Sequence, residues 1–191
     1  MIRIAIFASG SGSNAEEIIK YFGDIPGKEV SLVLSNKSDA YVLERTKRFD
    51  VPSVVFNRQE LIQGQVLNIL REKQIDFIVL AGFMMLIPQN LVDAYPDKIL
   101  NIHPALLPKY GGKGMYGDHV HNAVKENKER ETGITIHVVN ERYDEGQIIF
   151  QAKCNVEQND SVSDIAQKVH ALEHANYPKV IDKFIDDQSN G

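Results

Sequence analysis

Cysteine is almost absent from this chain of 191 residues: Cys154 is the only one. An internal disulfide and a cysteine-based metal site are therefore excluded, and a reducing, cytoplasmic setting fits. Basic charge is also scarce, with 21 Lys and Arg against 26 Asp and Glu and a net charge of −5. That balance argues against a nucleic-acid platform or a polybasic membrane anchor, although a local basic pocket for a small anion remains open. Long apolar runs are missing too. The apolar-rich uncharged segment Phe77 to Gln89 is too short to cross a bilayer. There is no repeat, low-complexity block or Pro/Gly-rich linker to divide the chain, so a single domain over 1–191 is expected, with 186–191 a frayed tail.

What remains is an ordinary globular composition, 43% apolar and 25% charged. Short apolar runs alternate with helical-period segments, the signature of a parallel α/β sheet. Strands are expected at Ile2–Ala8, Val30–Leu34, Ser53–Phe56, Phe77–Ala81 and Ile99–Ile102. Helices are expected at Ala15–Phe22, Ala40–Phe49, Gln59–Lys73 and Gln89–Ala94. The strands are almost continuously apolar, as in a sheet covered on both faces. Beyond His103 the rhythm changes to a Gly/Pro-rich loop, a short helix from about His119, and two strands, Ile134–Asn140 and Ile148–Asn155, that form a hairpin. A last helix is expected from Ser161 to about Phe184, interrupted near Pro178.

Three segments carry chemistry. Ser9-Gly10-Ser11-Gly12-Ser13-Asn14 lies where the first strand turns into a helix, and free N–H groups at such a terminus favour an anion. Gly10-x-Gly12-x-x-Ala15 also spells a dinucleotide fingerprint, but the second strand ends Leu34-Ser35-Asn36-Lys37, without the carboxylate that ribose recognition needs. A phosphomonoester suits the loop better. A tight turn with a Ser13/Glu16 capping box accounts for the same letters. Asn101 and His103, two apart at a strand end, project to one side at the sheet edge where open α/β folds bind ligands. An amide beside an imidazole suits a developing oxyanion and proton transfer. Asp144, a turn former by position, would raise the His103 pKa and favour the cation if it lay alongside.

In order along the chain stand Phe7-Ala8-Ser9-Gly10-Ser11-Gly12-Ser13-Asn14, Leu80-Ala81-Gly82-Phe83-Met84, Asn101-Ile102-His103-Pro104-Ala105-Leu106-Leu107-Pro108 and Tyr143-Asp144-Glu145-Gly146. With them the chain resembles the folate-dependent formyltransferase family from Ile2 to about Phe184. The Gly-Ser-Asn loop and the short length are similar to the branch that formylates a phosphoribosylated glycinamide in purine biosynthesis. The resemblance implies a Rossmann-like formyltransferase fold, with a mostly parallel sheet, helices on both faces and an antiparallel C-terminal hairpin. It implies 10-formyltetrahydrofolate as co-substrate, no metal, small-molecule substrates, no nucleic acid or membrane, and a monomer or homodimer. Asn101, His103 and Asp144 would be the catalytic trio. Gly12, Ser13 and Asn14 would hold the substrate phosphate, and Glu173 would contact the phosphoribosyl part of the substrate. Folate would meet Arg58, Met84, Met85, Leu86, Ile87 and Asn101, with Asn140, Glu141, Arg142, Tyr143 and Asp144 closing over it. Met85 departs from the family, in which many members carry arginine there.

On patterning alone Met84-Met85-Leu86 reads as core, Glu173 as a helix-face charge, Cys154 as a buried inert thiol, and Gly111 to Gly117 as either a mobile flap or a plain surface loop. His119, His121 and His137 lack the acid or cysteine framework of a metal site. Competing readings are a formyltetrahydrofolate hydrolase, whose extra N-terminal domain is not expected here, a tRNA formyltransferase, whose basic C-terminal domain is not expected either, a nucleotide-dependent oxidoreductase, and a folate-binding module without turnover.

Overall fold

The computed structural model describes residues 1–189. Its seven strands form a sheet in the order β3-β2-β1-β4-β5-β6-β7. The chain falls into two compact units, Met1–Leu100 and Asn101–Gly191.

In the first unit, β1 (Ile2–Phe7), β2 (Lys28–Ser35), β3 (Ser53–Val55) and β4 (Phe77–Leu80) pair in parallel. Ile4, Ala5, Ile6 and Phe7 are wholly buried, as are Leu32, Val33 and Leu34, which is why these strands read as unbroken apolar runs. α1 (Ser13–Gly23) connects β1 to β2 and buries Ala15, Ile18, Ile19 and Phe22, the i, i+3, i+4, i+7 stripe expected from the sequence. α2 (Val42–Lys47) lies between β2 and β3, and α5 (Gln89–Ala94) follows β4. The chain steps outward from β1 through β2 to β3, then returns to place β4 on the other side of β1. That reversal makes a switch point at the carboxyl ends of β1 and β4, the usual ligand crevice of an open α/β sheet.

The expected single helix over 59–73 is two helices, α3 (Arg58–Ile62) and α4 (Gln65–Glu72). Gly64, with φ of +87°, breaks the register between them. The capping box stands before α3. Asn57 Oδ1 accepts the Gln59 and Glu60 amides at 2.8 and 3.0 Å, and Glu60 returns the bond to the Asn57 amide at 2.7 Å.

In the second unit β5 (Ile99–His103) brings the chain in. α6 (Asp118–Glu126), β6 (Glu131–Val138), β7 (Ile148–Asn155) and α7 (Val162–Ser189) follow. β6 and β7 are antiparallel, as expected of the C-terminal hairpin. The first hairpin strand begins three residues earlier than expected, at Glu131, and ends at Val138. α7 packs on β6, β7 and α6. It passes through Pro178 without the expected interruption: Tyr177, Pro178 and Ile181 are all buried, so packing outweighs the hydrogen bond a proline cannot donate. It also continues to Ser189, so Asp186–Ser189 are helical and not frayed, and 190–191 lie outside the described residues. Of the described residues, no helix is long and apolar enough to cross a membrane.

Candidate active site

The glycine loop of the first unit is built at the β1/β4 switch point. The Ser9 amide donates to the Gly82 carbonyl at 3.0 Å, the Met84 amide to Ser9 Oγ at 3.1 Å, and Ser9 Oγ to Asn36 Oδ1 at 2.6 Å. The loop's carbonyls are tied from the other side. Val42 N–H reaches Gly10 O at 3.1 Å and the Arg45 guanidinium reaches Ser11 O at 2.8 Å. Gly12 is the N-cap of α1, with φ of +74°, and a Cβ there would collide with the Val42 side chain, so the position demands glycine on two counts.

The expected Ser13/Glu16 capping box does not form. Ser13 is already the first helical residue, no side chain caps this terminus, and Glu16 turns outward to pair with Arg45 and, at 3.0 Å, with Lys20. Those two cations hold its carboxyl below the usual range. The start of α1 is thus left without a competing side-chain oxygen, which suits an external anion. Met84 and Leu86 are exposed and Met85 is half-buried, so none of Met84-Met85-Leu86 is core, contrary to the patterning, and only the following Ile87 is buried. Arg58 is exposed at the start of α3.

The second unit holds the titratable centre. Asn101 and His103 share a face near the end of β5 by strand alternation. The segment after them is pinned to the hairpin. Thr135 Oγ1 donates to Ala105 O at 2.7 Å and accepts Leu107 N–H at 2.9 Å, and Gln151 Nε2 donates to Leu107 O at 3.0 Å. The Leu107–Pro108 peptide is cis. The chain then doubles back at Tyr110, φ +58°, whose hydroxyl is anchored on Glu129 at 2.9 Å and whose carbonyl faces His103 Nε2 at 2.7 Å. A carbonyl only accepts, so Nε2 carries hydrogen and Nδ1 is the nitrogen left for proton exchange.

Asp144 is where the separate strands of the site meet. Its Oδ2 lies 3.6 Å from His103 Nδ1 and accepts the Gly112 amide at 2.9 Å, while its Oδ1 lies 3.5 Å from Asn101 Nδ2 and 3.6 Å from His137 Nε2. Gly111 has no room for a side chain here: a Cβ would come within 3.3 Å of Asp144 Cβ and 2.6 Å of Leu107. His137 is the member that sequence reasoning passed over, weighing it only as a metal ligand. Its Nδ1 donates to Val138 O at 3.0 Å, and its Nε2 takes the Asn101 amide at 3.1 Å. A buried polar residue on a strand, two residues after Thr135, is the sole signal that marks it.

The charge state differs from expectation. Asp144 does pull His103 toward the cation, but burial is the larger effect and pushes the imidazole below its ordinary value. For Asp144 burial alone would raise the carboxyl. His137, His103 and the Gly112 amide outweigh it, and the group sits below the usual range. The resting pair is therefore a neutral imidazole facing an ionised carboxylate. Glu173, expected to look like a helix-face charge, is buried on α7 beside His170. Cys154 is half-buried on β7, and burial raises its thiol pKa.

The amide–imidazole–carboxylate cluster of the second unit has the groups that acyl-group chemistry needs. The chain belongs to the formyl transferase family, whose model matches residues 2–181. Phosphoribosylglycinamide formyltransferases are among its relatives in that family. The chloroplastic one of Arabidopsis thaliana is 41% identical over 94% of this chain, which spans 64% of that protein's length. That of Haemophilus influenzae is 38% identical over 96% of this chain and 87% of the relative. The crystal structure of the Bacillus halodurans enzyme superimposes with a TM-score of 0.86 at 39% identity, covering 96% of this chain and 95% of that one.

Proposed function

We propose that this chain transfers the formyl group of 10-formyltetrahydrofolate to the amine of phosphoribosylglycinamide in purine biosynthesis. The observation that carries the reading is the convergence of Asp144 on both Asn101 and His103, in a chain whose relatives bear that name. The whole of 1–191 acts as one formyltransferase domain on small molecules, as a cytoplasmic monomer or homodimer without a metal. The nearly full-length family match supports the single formyltransferase domain.

The acceptor's phosphate goes to Gly12, Ser13 and Asn14, where the start of α1 offers backbone N–H groups, and Glu173 contacts its phosphoribosyl part. The folate meets Arg58, the exposed Met84 and Leu86 with Met85 and Ile87, Asn101, and the 140–144 loop. Met85 supplies no charge where many family members have an arginine, so recognition on that side is apolar.

The amine attacks the formyl carbon and the carbonyl oxygen becomes an oxyanion. One Asn101 amide hydrogen is engaged by His137. The other, facing Asp144 at the long distance of 3.5 Å, is the one a developing oxyanion can take. The proton lost by the amine passes to neutral His103 at Nδ1, directly or through water, and Asp144 stabilises the cation that results. Collapse of the intermediate breaks the bond to N10 of the folate, which receives that proton. His103 thus begins as a base and becomes the acid, the reverse of an imidazole charged from the outset.

The test is a spectrophotometric assay with 10-formyl folate and phosphoribosylglycinamide. Turnover that requires the amine is expected. Equal turnover without it would make the chain a hydrolase, turnover only with charged tRNA would make it the tRNA enzyme, and tight saturable binding of NAD(H) or NADP(H) without formyl transfer would restore the oxidoreductase.

A further inference from the structure

The strap 107–112 carries a backbone partner for each member of the imidazole–carboxylate pair. The Tyr110 carbonyl accepts the His103 Nε2 hydrogen at 2.7 Å, and the Gly112 amide donates to Asp144 Oδ2 at 2.9 Å. The turn between them is strained, because Tyr110 sits at φ +58°, a conformation that a bulky side chain keeps only where its surroundings impose it. On one side packing cannot impose it, since the strap borders a cavity of about 270 Å³ whose walls include Pro108, Lys109, Tyr110 and Glu129. There a hydrogen bond supplies the restraint. The Tyr110 hydroxyl, with Asn127 beside it, donates to Glu129 Oε1 at 2.9 Å, and Lys109 Nζ reaches the same oxygen at 2.9 Å. Lys109 first and Tyr110 second hold the Glu129 carboxyl below its usual range, so the bond from the phenol is charge-assisted. Glu129 is itself braced on the end of α6, its amide donating to Val124 O at 3.2 Å.

We propose that Glu129 is a positioning residue for His103: by holding the Tyr110 hydroxyl it fixes the turn whose carbonyl keeps hydrogen on Nε2 and leaves Nδ1 bare toward Asp144. The proposal rests on the reading of His103 as the base. A neutral imidazole carries one N–H, and the acceptor that meets it decides which nitrogen that is. Two acceptors compete here. The Tyr110 carbonyl draws the hydrogen to Nε2, whereas Asp144 Oδ2, 3.6 Å from Nδ1, draws it to the other nitrogen. A strap free to drift would lengthen the first contact and favour the tautomer with Nδ1–H aimed at Asp144, which cannot accept the amine's proton at Nδ1. Glu129 touches neither catalytic group and acts through Tyr110 alone.

The test joins kinetics of the full chain to magnetic resonance of its isotope-labelled histidine rings, recorded above the imidazole pKa, with the His103 signals assigned by their absence in His103→Ala. Tyr110→Phe and Glu129→Ala are expected to lower kcat about three- to ten-fold, the worth of one lost hydrogen bond, with both KM values within about two-fold. In both, the His103 Nε2 shift should move toward that of a bare nitrogen and the Nδ1 shift toward that of a protonated one. The double variant should lose no more than the worse single, because the two side chains make one bond. Glu129→Gln, which keeps an acceptor oxygen, should recover most of the rate, and Lys109→Met should leave rate and shifts as in wild type. If Glu129→Ala folds poorly, Tyr110→Phe carries the test. Ring shifts that stay at their wild-type values in the clamp variants overturn the proposal, even where the rate falls. Ring shifts that move as expected while His103→Ala turns over normally would instead remove His103 as the base, and with it the role of Glu129.

Discussion

Two imidazole–carboxylate pairs in the C-terminal unit have the same partners and opposite outcomes. At the end of β5, His103 faces Asp144 at 3.6 Å with 4% and 10% of the side chains exposed. On α7, His170 faces Glu173 at 2.9 Å with 53% and 5% exposed. Burial governs the first pair and lowers the His103 pKa, whereas the hydrogen bond governs the second and raises that of His170. A carboxylate beside a histidine does not by itself make an imidazolium. The sign depends on whether the ring can keep its contact with water. A neutral, buried ring that meets a carboxylate only after accepting a proton suits a group that must take a proton and give it up. A solvated cation suits one that holds a charge in place.

The largest expected effect comes from removing the buried ring. His103→Ala should lower kcat about 10²- to 10⁴-fold in single-turnover measurements, the usual cost of losing acid–base help, with the circular dichroism spectrum kept. A rate within a few-fold of wild type would remove His103 from the chemistry. Asp144→Asn comes next. It keeps an oxygen for the Gly112 amide but withdraws the charge that stabilises the His103 cation, and a loss of about 10²-fold is expected. Titration of the ring protons by nuclear magnetic resonance sharpens the contrast. The His103 midpoint should lie below the ordinary 6.5 and fall further in Asp144→Asn, and the His170 midpoint should lie above 6.5 and fall in Glu173→Gln.

The legibility of the two halves in the sequence differs for a related reason. In the first unit, structure follows local pattern: β1 and α1 come from consecutive residues, Gly12 from its turn, and α5 matches its expected bounds at Gln89–Ala94. Where the local pattern misled there, at Gly64 and at the Ser13/Glu16 pair, a positive φ and a distant arginine decided the outcome. In the second unit the centre is assembled by contacts far apart in sequence. Asp144 reaches Gly112 across 32 positions and Asn101 across 43, and no periodicity announces such a meeting. The motif resemblance linked Asn101, His103 and Asp144. The resting charge of His103 depended on a burial that no motif encodes, and His137 had no spacing signal of its own. Pro178 within α7 shows the same limit, since its neighbours' burial overrides the residue's local preference.

The smallest expected effect is on stability, and it separates the two pairs by slope. A histidine whose folded pKa is raised adds stability that is fully present below its unfolded value of about 6.5 and is lost as pH rises through the folded one. His170 should therefore contribute at pH 6 and little at pH 9, by about 0.3–0.5 kcal/mol once its half-exposure to solvent is allowed for. His103, with its folded pKa depressed, contributes in the opposite sense. Its share is present above about pH 6.5 and declines as pH falls through the folded value, because the unfolded chain then takes up a proton that the buried ring resists. Urea unfolding of wild type and His170→Ala at pH 6 and 9 reads the first slope. The difference between the proteins should be larger at pH 6. A difference that grows toward pH 9 would mean that burial governs His170 as it governs His103, and the contrast between the two pairs would collapse.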